Sequence, residues 1–116
     1  MISGIMRGVD CVFCGIVNGK VPSTKDYEDE YVVAFRDIHP EAPVHVVVVP
    51  KRHISSLDTT TEADTELLGR AQRVCAKLVS KLGLTSGYKL NLNGGRYQEV
   101  KHIHYHLKGG FVGGGE

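Results

Sequence analysis

Residues 102–106 read His102-Ile103-His104-Tyr105-His106, and this alternation decides how the rest of the chain is interpreted. Successive side chains of a β-strand point to opposite faces, so a strand here would carry all three imidazoles on one face. A helix would rotate each residue by about 100° and scatter them. Three groups that titrate near neutrality on one face predict either a metal site or a site for proton transfer and nucleophilic attack.

The composition is that of one globular domain. The chain has 116 residues, 41% of them hydrophobic, and a formal net charge of +1. This length can bury a core, and a charge near zero does not favour a nucleic-acid or membrane surface. The longest apolar run, at 44–49, is too short to span a bilayer. We predict a flexible extension at 1–9, one domain at 10–110 and a glycine-rich tail at 111–116.

The three cysteines indicate a reducing compartment, and the N-terminus has no signal-peptide pattern, so we expect a cytoplasmic protein without disulfides. Cys75 falls in a helical apolar stripe and is expected to be buried. Cys11 and Cys14 form a Cys-x-x-Cys pair, which alone is a weak zinc signal. His53 and His102 are available to complete a Cys₂His₂ set. A redox pair and two unligated cysteines are the alternatives.

The pattern of apolar residues predicts an α+β domain. Residues 11–18 suggest a short helix, and apolar positions at helical spacing predict a long helix over 59–82. Thr61 with Asp64 forms a capping-box pattern before this helix, and Gly83 is placed to end it. Apolar and β-branched runs predict strands at 31–35, 44–49, 88–93 and 100–107. We expect an antiparallel sheet of about five strands with the long helix packed on one face.

If the strands at 44–49 and 100–107 are neighbours, five of the six histidines share one region and only His39 lies outside it. Two chemistries compete for this cluster. In one, histidines hold a catalytic zinc ion that keeps an open position. In the other, a neutral imidazole attacks phosphorus while its neighbours donate protons or hold the phosphate. Glu99 is the nearest carboxylate, and this scarcity of acidic groups disfavours a binuclear metal site.

The motifs of this chain resemble those of the histidine-triad (HIT) family of nucleotide-binding proteins. Residues 102–107 resemble its His-φ-His-φ-His-φ-φ motif, where φ is apolar. Residues 34–45 and 49–55 resemble signatures of the Hint branch, and residues 11–16 resemble the start of zinc-containing bacterial members. The resemblance covers roughly residues 10–110 and implies the HIT fold, with a homodimer formed through the long helix and an edge strand.

The resemblance also implies an activity and roles for residues. The implied reaction is cleavage at the α-phosphorus of purine nucleoside phosphoramidates or related nucleotidyl substrates, with AMP or GMP as ligands. His104 would be the nucleophile that becomes nucleotidylated. His106 would contact the phosphate and the leaving group, and His45 would line the phosphate side. Asp37 would accept both ribose hydroxyls, and Asn93 would contact the phosphate or ribose. The implied walls of the base pocket are Val12, Phe13, Ile16, Phe35 and Ile38.

A structural zinc ion is implied at Cys11, Cys14, His53 and His102, with no organic cofactor. Two other functions stay open. One is a zinc-dependent hydrolase that uses the triad as metal ligands. The other is a nucleotide-binding regulatory module with little turnover, which would need no reactive histidine.

Three departures from the family pattern limit what the resemblance implies. Lys108 stands where the motif usually ends on an apolar residue, and Glu99, at a nucleotide-binding position, replaces a serine or threonine of the Hint branch. The loop at 93–99 is about two residues shorter. A carboxylate there would repel phosphate unless it is protonated or paired with Arg96 or Lys101. We therefore predict an altered leaving-group preference.

Overall fold

The computed structural model describes residues 11–110, which form two helices and five strands. The helices are α1 (Val12–Val17) and α2 (Thr65–Lys81). The strands are β1 (Lys25–Glu28), β2 (Val32–Arg36), β3 (Val44–Pro50), β4 (Tyr88–Leu92) and β5 (Tyr105–Gly109). Short 3₁₀ turns lie at Leu57–Thr59, Glu62–Asp64 and Gly95–Tyr97. The predicted N-terminal extension and C-terminal tail fall outside the described residues.

The five strands form one antiparallel sheet, as the sequence predicted, and their order is β1-β2-β3-β5-β4. β3 is the central strand and is buried from His45 to Pro50. An almost continuous β-branched run is typical of a strand covered on both faces. The register places Val47 opposite Phe35 on β2 and opposite His106 on β5. Pairing of β3 with β5 therefore brings His45 and His106 into one region, as predicted.

The alternating side chains of β3 supply two separate apolar cores. On one face, Val46 and Val48 pack with α2 residues such as Leu78. On the other face, Val47 packs with residues of β2 and α1, including Phe13. Burying a large apolar side chain stabilises a fold by roughly 1.5–3 kcal/mol, so both helices are fixed to the sheet by their apolar faces.

Helix α2 is shorter at its N-terminus than predicted. The capping box is present, with the Thr61 N–H donating to Asp64 Oδ2 at 2.9 Å, but it closes a 3₁₀ turn before the helix. Hydroxyl groups in this segment bond to nearby backbone, such as Thr60 Oγ1 to the Leu57 carbonyl at 2.7 Å, and so compete with helical hydrogen bonding. Gly83 ends the helix at φ +71°, as predicted. Within residues 11–110, no helix has the length and apolar character that a membrane crossing needs.

Two strand predictions differ from the structure. The prediction of a strand over 100–107 is wrong at its start, because β5 begins at Tyr105 and the chain before it bonds to the loop after β3. There the Ile103 N–H donates to the Ile54 carbonyl at 2.7 Å. β1 at Lys25–Glu28 was not predicted, because this edge strand is polar and half exposed and has no apolar alternation.

Candidate functional site

The three imidazoles of the motif form a row on the α1 side of the sheet. The ring centroids of His102 and His104 lie 5.9 and 4.9 Å from that of Phe13, and His104 and His106 are 4.8 Å apart. Tyr105, between them, packs in the core beneath α2. The predicted alternation is therefore confirmed, although His102 and His104 precede the strand itself.

His104 is held as a neutral ring with one free nitrogen. Its Nδ1 lies 2.7 Å from the His102 carbonyl oxygen, which can only accept, so Nδ1 carries the hydrogen and donates it. Burial lowers the pKa of His104, against the opposing effect of this hydrogen bond. The ring is 4% exposed, and its Nε2 keeps a lone pair. This is the tautomer that an attack through Nε2 requires.

His45 and His106 form a hydrogen-bonded pair whose direction is set by the backbone. The Glu41 N–H donates to His45 Nδ1 at 3.0 Å, so in the neutral ring the hydrogen is on Nε2. His45 Nε2 lies 2.8 Å from His106 Nδ1 and donates to it. His106 therefore carries its hydrogen on Nε2. Burial lowers the pKa of His45, and burial, with nearby His104, lowers the pKa of His106 to about 4.

Asp37 lies beside this pair. Its Oδ1 accepts the His39 N–H at 2.8 Å, and its Oδ2 lies 3.5 Å from His45 Nε2 and 3.8 Å from His106 Nδ1. These three side chains bring ligand atoms within 4.8 Å of one another. A metal ion would need lone pairs on both facing nitrogens, whereas the Glu41 N–H directs the hydrogen of His45 onto one of them. The group is therefore a hydrogen-bond network in which Asp37 Oδ2 is left to accept further donors.

A second cluster has the composition and spacing of a zinc site. Its ligand atoms, from Cys11, Cys14, His53 and His102, all lie within 4.8 Å of one another. The Sγ-to-Nδ1 distances are 3.4 Å for Cys11–His102, 3.3 Å for Cys14–His53 and 3.6 Å for Cys14–His102. Tetrahedral zinc with ordinary bond lengths separates sulfur from nitrogen ligands by about 3.6 Å, so the four side chains fit the ion.

The buried member of this cluster is oriented for a metal. His102 is fully buried, and its Nε2 donates to the Pro50 carbonyl at 2.8 Å, so the lone pair is on Nδ1, which faces the thiols. Burial lowers the pKa of His102 to about 4, which keeps the ring neutral. Burial, with the adjacent Cys11, raises the pKa of Cys14 to about 11. A bound zinc ion would stabilise the thiolate that this environment otherwise disfavours.

The triad is thus divided among different partners. His102 faces the thiols and His106 pairs with His45. Among the residues that the structure describes, no cluster of candidate metal ligands contains His104. This arrangement does not favour the alternative in which all three histidines bind one catalytic metal.

The residues predicted as pocket walls occupy two environments. Phe13, Ile16 and Phe35 are buried in the core under α1, whereas Ile38 is 83% exposed on the loop between β2 and β3. Val12 is partly exposed and lines an open groove of about 500 Å³ beside the zinc cluster. Asn93 is exposed in the loop after β4. The other residues lining the groove are Cys11, His53, Ser55, Glu99, Val100 and Lys101.

Glu99 is exposed in this groove, and the predicted pairing partners do not neutralise it. Lys101 Nζ donates to the Gly95 carbonyl at 3.0 Å, and Arg96 donates to the hydroxyl of Tyr97 at 3.3 Å. The carboxylate is close enough to His104 to favour the protonated form of that ring electrostatically. The groove therefore presents an unpaired carboxylate near His104, with the Lys101 ammonium also on its lining.

Three further residues lie near the site but were given no role in it from the sequence. They are Asn91, Lys108 and Glu41. Asn91 lies opposite His106 across β4 and β5, and Lys108 lies opposite His45 across β3 and β5. Lys108 Nζ donates to Glu41 Oε1 at 2.6 Å. Period-two spacing from His106 could have placed Lys108 on the histidine face, but the cross-strand partners depend on register, which the sequence does not display.

Comparisons with known proteins agree with this architecture. The family model described as "Scavenger mRNA decapping enzyme C-term binding" matches residues 10–111. The purine nucleoside phosphoramidase of Escherichia coli K12 is 38% identical over 104 residues, which are 87% of each protein. A HIT family hydrolase from Clostridium thermocellum superposes with a TM-score of 0.86 at 42% identity, covering 92% of this chain and 96% of that one. A zinc-bound histidine triad family protein from Mycobacterium smegmatis superposes with a TM-score of 0.77 at 31% identity, covering 91% and 78%. The chain therefore belongs to the histidine-triad (HIT) family.

Proposed function

We propose that this protein cleaves at the α-phosphorus of purine nucleoside phosphoramidates or related nucleotidyl substrates through a nucleotidyl-His104 intermediate. The observation that carries the proposal is the hydrogen bond from His104 Nδ1 to the His102 carbonyl, which leaves Nε2 free beside the neutral His106. The E. coli relative is named a purine nucleoside phosphoramidase and the C. thermocellum neighbour a hydrolase, and both names support this chemistry.

The proposed reaction has two displacements at phosphorus. His104 Nε2 forms a bond to phosphorus as the phosphorus–nitrogen bond of the substrate breaks, and the nucleotidylated imidazole becomes positively charged. The leaving nitrogen takes a proton from His106 Nε2 while a solvent proton enters the pair of His45 and His106, so neither ring is left as an anion. Water then attacks phosphorus, His104 leaves as a neutral ring, and the proton of the water passes through the same pair to solvent. The products are the nucleoside monophosphate and the amine.

The nucleotide would lie across the α1 face of the sheet. Asp37 Oδ2, with no backbone donor on it, would accept the ribose hydroxyls, and Asn93 would contact the phosphate or ribose. Ile38, which is exposed, would supply apolar surface for a purine such as that of AMP or GMP. The groove at Glu99 would receive the part of the leaving group beyond the nitrogen that His106 protonates.

We also propose a structural zinc ion and a homodimer. The zinc ion would join the start of α1 to the segment before β5 and the loop after β3, through Cys11, Cys14, His53 and His102. It would fix the position of the segment that carries His104 without contacting substrate.

The dimer would form through α2 and β4, because β4 is an edge strand on which Tyr88 and Leu90 are 52% and 40% exposed.

Trapping of the intermediate tests this proposal. Adenosine 5′-phosphoramidate is mixed with the protein, the reaction is quenched in the steady state, and intact-protein mass spectrometry with peptide mapping locates the adduct. We expect an adenylyl group on His104 and release of AMP. AMP binding without an adduct or turnover would instead identify a nucleotide-binding module. Turnover that survives in His104→Asn but disappears on removal of zinc would identify a metal-dependent hydrolase.

A further inference from the structure

The ion pair between Lys108 and Glu41 connects two parts of the site that are distant in sequence. Lys108 lies on β5, and Glu41 is in the loop between β2 and β3. Lys108 Nζ lies 2.6 Å from Glu41 Oε1, with the lysine side chain 18% exposed and the glutamate side chain 69% exposed. The lysine is also the cross-strand neighbour of His45. The ion pair therefore fixes the Glu41 side chain of this loop to the face of the sheet that carries the histidines.

Glu41 makes a second contact with the site, through its backbone. Its N–H donates to His45 Nδ1 at 3.0 Å, and this is the bond that places the hydrogen of His45 on Nε2. The same hydrogen is directed at His106 Nδ1 at 2.8 Å. One residue is thus held by its side chain and, through its backbone, sets the tautomer of two rings.

We propose that Lys108 and Glu41 are positioning residues, whose ion pair holds the Glu41 N–H against His45 and thereby keeps the Nε2–H of His106 available to the leaving group. The inference rests on the function proposed above. Without the ion pair the loop gains freedom, the donor to His45 is lost part of the time, and the His45 ring can carry its hydrogen on either nitrogen. His106 then presents a hydrogen to the substrate in only part of the molecules.

An ordinary surface ion pair is the alternative, and the chain contains one for comparison. Lys25 and Glu28 pair at 3.2 Å on the outer edge strand, with side chains 34% and 38% exposed. Exposed ion pairs contribute little to stability, and the pair of Lys25 and Glu28 contacts no histidine of the site. Loss of this pair serves as the matched control for loss of one lysine charge.

The test combines ring NMR with kinetics on Lys108→Met, Lys108→Arg, Glu41→Gln and the control Lys25→Met. Methionine keeps the apolar stem of the lysine, and glutamine keeps the backbone N–H of position 41. Long-range ¹H–¹⁵N correlation spectra of ¹⁵N-histidine protein report which nitrogen of His45 and His106 carries the hydrogen. Steady-state hydrolysis of adenosine 5′-phosphoramidate gives kcat and KM.

We expect a single tautomer at His45 and His106 in the wild type, in Lys108→Arg and in Lys25→Met. Lys108→Met and Glu41→Gln should give mixed tautomers and a kcat lowered about three- to tenfold at nearly unchanged KM, a fold-change in reach of one ion pair. Unchanged tautomers in both of these variants would overturn the inference, whatever their kcat. A wild type that shows no turnover would overturn the proposed function, and the tautomers would still decide whether the ion pair orients the rings.

Discussion

His102 and His106 stand at the two ends of the same five-residue motif, and we propose opposite chemical roles for them. Burial lowers the pKa of each ring to about 4, so both are neutral at pH 7. His102 donates from Nε2 to a backbone carbonyl and presents the lone pair of Nδ1 to the thiols. His106 accepts at Nδ1 from His45 and presents Nε2–H. The hydrogen bonds around each ring, and not its pKa, thus decide whether it presents a lone pair or an N–H to its surroundings.

His104, between these ends, gives the largest predicted effect. His104→Asn removes the free Nε2 but leaves the zinc ligands in place. We expect kcat/KM for adenosine 5′-phosphoramidate to fall by at least about 10³-fold, about 4 kcal/mol of transition-state stabilisation, with zinc content unchanged. Turnover assays and metal analysis of the same sample measure both. Loss of zinc together with activity would show that the two ends of the motif are not separate sites.

The candidate zinc cluster at His102 should affect the free energy of unfolding more than it affects the rate of the reaction. A ligand present at a thousand times its Kd stabilises the folded state by about 4 kcal/mol, so removal of zinc should lower the free energy of unfolding by an amount of this order. His53→Asn removes one exposed ligand and should lower zinc affinity by at least tenfold. His39→Asn, an exposed histidine outside the cluster, is the matched control. Chelator titration followed by thermal unfolding measures the difference, and equal zinc affinity in the two variants would reject the ligand set.

Much of this division was predictable from the sequence. Period-two spacing predicted the row of imidazoles, and the Cys-x-x-Cys pair pointed to the ligand cluster around His102. The start of β5 was not predictable, because it depends on tertiary hydrogen bonds from Ile103 and His102 to Ile54 and Pro50. The partner of His106 depends on register, and the contact of Glu41 with His45 depends on the conformation of the loop. Sequence patterns thus indicate which residues share a face, whereas the bonds that select each tautomer arise from the folded backbone.

The lowered pKa of His106 predicts that the stability of the protein depends on pH. The folded-state pKa of His106 is about 4 and the unfolded value is 6.5, so between these values the unfolded chain binds more protons. Stability contributed by the neutral ring is complete above pH 6.5 and falls as the pH drops toward 4. The groups that face it are His45, His104, Asp37 and Lys108.

His106→Asn should remove this part of the pH dependence. We expect the wild type to lose about 1–2 kcal/mol more than the variant between pH 6.5 and 4.5, a value reduced from the full pKa shift because the ring is partly solvated. Urea unfolding of both zinc-loaded proteins across this pH range measures the difference. Both proteins keep the zinc ligands, so acid release of zinc affects them alike. Parallel stability curves would show that His106 is not buried as a neutral ring.

The smallest predicted effect concerns the groove at Glu99, which lies toward His102 and the candidate zinc cluster. Glu99 is exposed there and is not neutralised by Arg96 or Lys101. An exposed carboxylate attracts a cationic group and repels an anionic one by about 1 kcal/mol each. Among adenosine phosphoramidates of equal chain length, we therefore expect kcat/KM to be about fivefold or more higher for an amine that carries a distal ammonium group than for one that carries a distal carboxylate.

Glu99→Ser and Glu99→Gln should abolish this discrimination and leave the neutral amine of the same length unaffected. Glu30→Gln, which removes an exposed carboxylate in the turn before β2, is the control for net charge. An unchanged rate and preference in both Glu99 variants would show that the leaving group does not enter the groove. Since this groove and the ring of His106 lie on different sides of His104 along the motif, that result would place the departing amine near His45 and Lys108 instead.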